Sequence, residues 1–182
     1  MKDCCEDSYN YPCNDTCTYS TTNINFVGST GPPGPPGAPG IINISNFYAL
    51  MPGDNAATVA VGGSVEFPND GPSNGIITST SASTFLLPDI AIYEVTFQVS
   101  VTEPGQLVVA INGVEIPYTV VGRATGTSQI IGLCLIETTV VNSTLSINNP
   151  VGNAVALTIT PLSGGASAVS AHLVVKQFQT LP

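Results

Sequence analysis

Four cysteines crowd the first stretch of the chain, at Cys4, Cys5, Cys13 and Cys17, and a fifth, Cys134, stands alone far downstream. Thiols at such density support three chemistries. A zinc site wants paired Cys-x2–4-Cys spacings, and only Cys13 and Cys17 meet that; the adjacent Cys4 and Cys5 fit poorly around one tetrahedron. Disulfides are the favoured reading, and bonds between chains above all, because a segment this short and polar builds no core to bring it back on itself. Free thiols are the third alternative. Cys134 lies in the run Ile130–Ile136, whose apolar neighbours would raise a thiol pKa and quench its nucleophilicity, so core packing is expected there.

Other residues able to do chemistry are few. His172 is the sole histidine, sits in an alternating stretch near the end of the chain, and has no recognisable catalytic partner. The segment Pro68-Asn69-Asp70-Gly71-Pro72-Ser73-Asn74-Gly75 offers oxygen ligands, but its spacing matches no EF-hand and turn chemistry alone explains it. Glycosylation sequons begin at Asn14, Asn43 and Asn142. No P-loop, dinucleotide fingerprint, nucleophile elbow or metalloprotease helix occurs. The expectation is a protein without catalytic residues, metal or cofactor.

Three zones would position these groups. Residues 1–27 are polar, acidic and cysteine-rich, and end in Asn23-Ile24-Asn25-Phe26-Val27, which alternates like a short strand. That strand could add to an exposed sheet edge of another subunit, with Ile24 and Phe26 as plugs. In residues 28–42 glycine recurs with a period of three, at Gly28, Gly31, Gly34, Gly37 and Gly40, giving the triplets GST, GPP, GPP, GAP and GII. This is the collagen pattern: three polyproline-II chains share an axis where only a hydrogen fits, so every third residue is glycine. At about 3.1 Å per residue the stalk would be roughly 45 Å long. A plain Pro/Gly spacer is the competing reading. A collagen stalk this short needs a neighbouring trimeric domain to hold register.

Residues 43–182 read as β-structure throughout. Tyr93, Val95, Phe97, Val99 and Val101 alternate with polar residues, as a half-buried strand does. Leu107, Val109 and Ile111 alternate next, and Asn112-Gly113 supplies a type I′ turn into Val114-Glu115-Ile116. Further strands are expected around Leu145 and Ile147, around Val155, Leu157 and Ile159, and around Leu173 and Val175. The run Ile130-Ile131-Gly132-Leu133-Cys134-Leu135-Ile136 is apolar on both faces, which calls for two covers: the opposite sheet, and another subunit. About eight to ten short strands with turn signals between them make an all-β sandwich or jelly roll.

Composition narrows the function. Three basic residues, Lys2, Arg123 and Lys176, stand against 12 acidic ones for a net charge of −9, so nothing could neutralise a nucleic acid backbone. Charged residues are only 8% of the chain while hydrophobic ones are 43%, an unusual balance for a soluble monomer and one that suggests surface buried against other chains. No run is long and apolar enough for a membrane helix. Met1-Lys2-Asp3-Cys4-Cys5 opens the sequence without an apolar core, so no Sec-type leader is expected.

A collagen-like stalk followed by a jelly roll resembles the BclA-type collagen-like proteins of bacterial spore surfaces, whose heads share the trimeric fold of complement and tumour-necrosis-factor-like jelly rolls. The phrases that carry the resemblance are NISNFYALMPGDNAATVAVGGSVEFPNDG, FLLPDIAIYEVTFQVSVTEPGQLVVAINGVEIPYTVVGRATGTSQI and AHLVVKQF, and it covers residues 28–182. It implies a homotrimeric structural protein, made in the mother cell and placed on the spore surface, with spore coat or exosporium proteins as candidate anchors. The stalk departs from the family: it is short, and only Ser29 and Thr30 offer hydroxyls for sugar. A cysteine-bearing tail stands where the family's targeting segment would be, similar in logic to the connectors of spore appendage fibres. The expected organisation is therefore a connector (1–27), a stalk (28–42) and a trimeric head (43–182), with trimers joined head to tail. The rival readings are a trimeric adhesin or lectin-like head and a phage or viral fibre protein.

Overall fold

The computed structural model describes residues 31, 32, 34, 40–51, 53–55, 58–125, 128–160 and 167–181. The chain divides into one unit of Met1–Pro36 and another of Gly37–Pro182. In the first, residues 31, 32 and 34 are exposed and without regular secondary structure.

The second unit is all-β. In chain order its strands are β1 (Asn43–Met51), β2 (Thr58–Val59), β3 (Asn69–Ser73), β4 (Thr78–Ser81), β5 (Thr84–Leu87), β6 (Ala91–Val101), β7 (Gly105–Ile111), β8 (Val114–Glu115), β9 (Val121–Arg123), β10 (Ser128–Glu137), β11 (Ser143–Asn148), β12 (Leu157–Thr158) and β13 (Val169–Thr180), with one 3-10 turn at Pro117–Thr119. Every pairing among the described residues is antiparallel. One sheet runs β10-β6-β13-β1-β3; the other runs β4-β5-β11-β7-β8, with β9 also on β7; β12 and β2 form a small third.

The alternation of β6 decides the sandwich. Tyr93, Val95, Phe97, Val99 and Val101 are fully buried, while Ile92, Glu94, Thr96 and Gln98 turn to the other face. The second sheet answers with Phe85, Leu87, Leu107, Val109, Leu145 and Ile147, all buried. Between the sheets the rings of Phe47 and Phe85 lie 4.3 Å apart, and Phe67 meets Phe85 at 6.1 Å. Such interdigitated faces are what makes two amphipathic sheets one core.

The expected turn at Asn112-Gly113 is present: both residues have positive φ, 52° and 77°, as a type I′ hairpin requires. In β10, Gly132 faces Phe97 in register, and a Cβ there would sit 2.3 Å from the phenyl Cε1 and Cζ. The ring fills the space that a side chain would have taken.

Two local expectations are corrected. The segment 68–75, read as a turn, is largely strand β3, the edge partner of β1, with a register shift between Ser45 and Phe47 that accommodates Pro72. Proline is tolerated on an edge, where its missing N–H breaks no ladder. The strand expected over Val155, Leu157 and Ile159 shrinks to β12. There the Glu103 carboxylate takes the Thr158 amide at 2.7 Å and Asn149 Nδ2 donates to the Val155 carbonyl at 3.2 Å, so side chains occupy ladder positions. Arg123 ends β9, and its guanidinium donates to the carbonyls of Val101, Glu103 and Thr125.

Candidate assembly surface

The outer face of the first sheet is built from the residues that alternate with the core. Cross-strand register lines them up in rows. One row is Tyr48, His172, Gln98 and Ile131; the next is Asn46, Val174, Thr96 and Leu133; the next is Ile44, Lys176, Glu94 and Leu135. The middle of the face is polar and, among the described residues, holds a single ion pair, Lys176 Nζ to Glu94 Oε1 at 2.8 Å.

The edge strand β10 differs from that middle. Ile130 and Ile136 enter the core, at 2% and 1% exposure, while Ile131, Leu133 and Leu135 point outward at 61%, 67% and 56%. Three large aliphatic side chains in a row on an edge strand form an association surface unless something covers them. Tyr118, 69% exposed, extends the patch, and its hydroxyl donates to the Leu135 carbonyl at 3.2 Å. Beside the stripe lies a cavity of about 470 Å³, lined by Ile92, Glu94, Leu133, Cys134, Leu135, Phe178 and Gln179. The doubly apolar run thus has one face buried as expected and the other bare in the single chain.

Cys134 is half-buried on the inward side of β10, its Sγ 3.9 Å from the Val95 carbonyl, and burial pushes the thiol up to about 11. That agrees with a packing role. His172 is exposed on the outer face of β13, its ring 6.3 Å from that of Tyr48. Asn43 is buried and its side-chain amide donates to Gln177, which excludes its sequon as a glycan acceptor in the fold; Asn142 occupies a turn with φ 55°. In the segment 68–75, Asn69 donates its side-chain Nδ2 to the Asp54 carboxylate at 2.7 Å. The disulfide candidates Cys4, Cys5, Cys13 and Cys17, the connector residues Ile24 and Phe26, and Gly28 and Gly37 lie outside the described residues. Gly31, Gly34 and Gly40 are exposed, and a Cβ at any of them would meet nothing within 4 Å.

Sequence reasoning did not find Tyr118, Phe178 or the Glu94–Lys176 pair. The pair had a weak signal, since both residues take outward positions in strongly alternating strands. Tyr118 follows Pro117 outside any periodic pattern.

No family model matches the chain, and no curated protein matches it in sequence. Solved structures do. The globular domain of zebrafish complement 1qA protein superposes with a TM-score of 0.52 at 9% identity, over 75% of this chain and 95% of that one. Murine APRIL matches at 0.46 with 11% identity, covering 72% of this chain and 98% of its own. PRD1 vertex protein P5 matches at 0.45 with 17% identity, covering 77% and 99%. The first likeness shows the fold alone: the β-strands of the second unit make a jelly roll like that of the complement globular domain.

Proposed function

We propose that this chain is a structural subunit that assembles as a homotrimer through the outer face of its first sheet, and that the trimers build an extracellular fibre or surface layer of the kind that clothes bacterial spores. The observation that carries the reading is the bare aliphatic stripe Ile131, Leu133 and Leu135 on β10. A chain with 8% charged residues has little else to keep such a stripe soluble. The period-three glycines support the number three. Among the described residues nothing crowds Gly31, Gly34 or Gly40 within one chain, and a collagen axis is the setting in which every third residue must be glycine. In this reading residues 28–42 are the stalk, and residues 1–27 carry the link to the next trimer, fixed by disulfides.

Light scattering on the full chain in reducing buffer tests the core of it. The expected particle has three times the 18.6 kDa chain mass. Covering a leucine that is 67% exposed is worth about 1–2 kcal/mol. Leu133→Asp loses that in every subunit and adds a charge to desolvate, so it should give monomers. A wild-type chain that remains monomeric refutes the reading. The fibre is tested separately by electron microscopy: changing Cys4, Cys5, Cys13 and Cys17 to serine should leave fibres that disperse in hot detergent.

A further inference from the structure

We infer that the cleft between strands β3 and β4 binds an uncharged sugar ring, a ligand rich in hydroxyl donors and free of negative charge. Each of these strands ends its own sheet. Between them lies a cavity of about 310 Å³ whose lining includes Phe47, Asp70, Ser73, Ile77, Thr78 and Ser79. That volume stands at the small end of the range for ligand clefts, about 300–1,000 Å³, and suits a single ring.

Residues directly opposite one another in an antiparallel pair share a face of the sheet. Asp70 stands opposite Phe47, Ser73 opposite Ser45, and Ser79 opposite Phe85. Phe47, Ser45 and Phe85 are all buried between the sheets. The register therefore turns a carboxylate and two hydroxyls toward the interior, at positions where β6 carries Tyr93, Val95 and Phe97. Beneath them the core reaches the edge as Phe47 and Ile77. An apolar floor under a few polar groups is the make-up of a ligand cleft. A charge turned inward on an edge strand also deters pairing with another chain. A guard of that kind needs no cavity, no floor and no hydroxyls on the facing strand.

The hydrogen bonds define the ligand. The Ser45 hydroxyl donates to the Ile77 carbonyl at 2.7 Å, so in the 2.9 Å contact between Ser45 and Ser73 the donor is Ser73. Ser73 Oγ also accepts from the Gly75 amide at 2.8 Å. Its proton is committed, and one of its two lone pairs remains to accept. The Asp70 carboxylate can only accept, and among the described residues it has no hydrogen-bond partner. Two residues of β1 separate the positions opposite Asp70 and Ser73, so these acceptors are on the order of 7 Å apart. No basic side chain lines the cavity, and an anion would meet Asp70 directly. A phosphate or an acidic sugar is therefore refused. A neutral ring offers donors to Asp70 and Ser73, exchanges hydrogen bonds with the Thr78 and Ser79 hydroxyls, and lays its C–H face on the apolar floor.

Saturation-transfer NMR on the full chain tests this with glucose, galactose, mannose and N-acetylglucosamine at millimolar concentration, and with glucuronic acid. At least one of the four neutral sugars should receive saturation through its ring protons, and glucuronic acid should not. Asp70→Asn keeps the shape and loses the charged acceptor, so the dissociation constant should rise about tenfold. Ser79→Ala should raise it about threefold. Both residues are exposed, and thermal melts should show both variants folded. Saturation of none of the four sugars, binding that both variants leave unchanged, or glucuronic acid bound as tightly as a neutral sugar would each overturn the inference. The readout is the same for a monomer and a trimer, so none of these results bears on the assembly proposed above.

Discussion

Gly132→Ala tests whether the jelly roll is packed as described. The added Cβ would stand 2.3 Å from Cε1 and Cζ of Phe97 and 2.9 Å from Cε2. Phe97 is fully buried, and its other cross-strand neighbour is Leu173 on β13. The ring must shift by about an ångström into an interior that is already close-packed. Overpacking of this kind costs about 1–3 kcal/mol, and a rigid buried ring belongs at the upper end. Replacing glycine by alanine within a strand returns about 0.5–1 kcal/mol of backbone entropy. The net expectation is about 2 kcal/mol of destabilisation, or a melting temperature lower by about 4–8 °C for a domain of this size. Thermal unfolding followed by circular dichroism measures it. The companion variant Phe97→Leu loses packing on its own, but in the double variant the shorter leucine side chain vacates the space that the new methyl group needs. The two effects should therefore fall short of additive by about 1 kcal/mol or more. A Gly132→Ala protein as stable as wild type, or a strictly additive double variant, would refute the packing argument.

Glu103 gives an acid-stability prediction. Burial pushes its carboxyl up, but hydrogen bonds from the Thr158 side chain and amide and from Thr102 outweigh it and hold the group at about 2, below the ordinary 4.5. A depressed carboxylate stabilises the fold above its unfolded value, so stability should drain between about pH 4.5 and about pH 2, and Glu103→Gln should flatten that decline in acid-unfolding curves. Gly34→Ala should abolish the collagen dichroism signal while the β-spectrum of the head persists; an unchanged collagen signal would make the segment a plain spacer. Trypsin has only Lys2, Arg123 and Lys176 to cut, and with Arg123 bonded to three carbonyls and Lys176 inside β13, mass spectrometry should find the chain intact beyond Lys2 after prolonged digestion.

The elements read most securely from sequence were those whose pattern is local. The alternation of β6 and the Asn112-Gly113 turn each follow from residues within a few positions of one another. β3 was hidden because Pro68, Gly71, Pro72 and Gly75 signal a turn, whereas the strand exists through the free edge of β1, which lies far away in sequence. β12 was overestimated for the converse reason: its alternation is real, but Glu103 and Asn149 compete for its backbone groups. The assembly surface was half legible. The double apolarity of Ile130–Ile136 pointed to a second cover, while the cavity beside it depends on Phe178 and Ile92, whose proximity only the sheet order creates. Gly132 carried no readable reason either, since nothing in its neighbourhood announces that Phe97 will occupy its side-chain volume.

The register of β1 against β13 has a bearing on how such a molecule can change over time. Asn43 pairs with Gln177, so the chain enters and leaves the domain at the same pole, while Met51 meets Val169 at the opposite one. Whatever is joined to the chain, a stalk before it or a fusion after it, meets the domain at a single pole. The connections at the other pole, from β6 to β7 and from β9 to β10, carry none of that burden. An addition at either terminus therefore leaves the connections at the opposite pole unburdened.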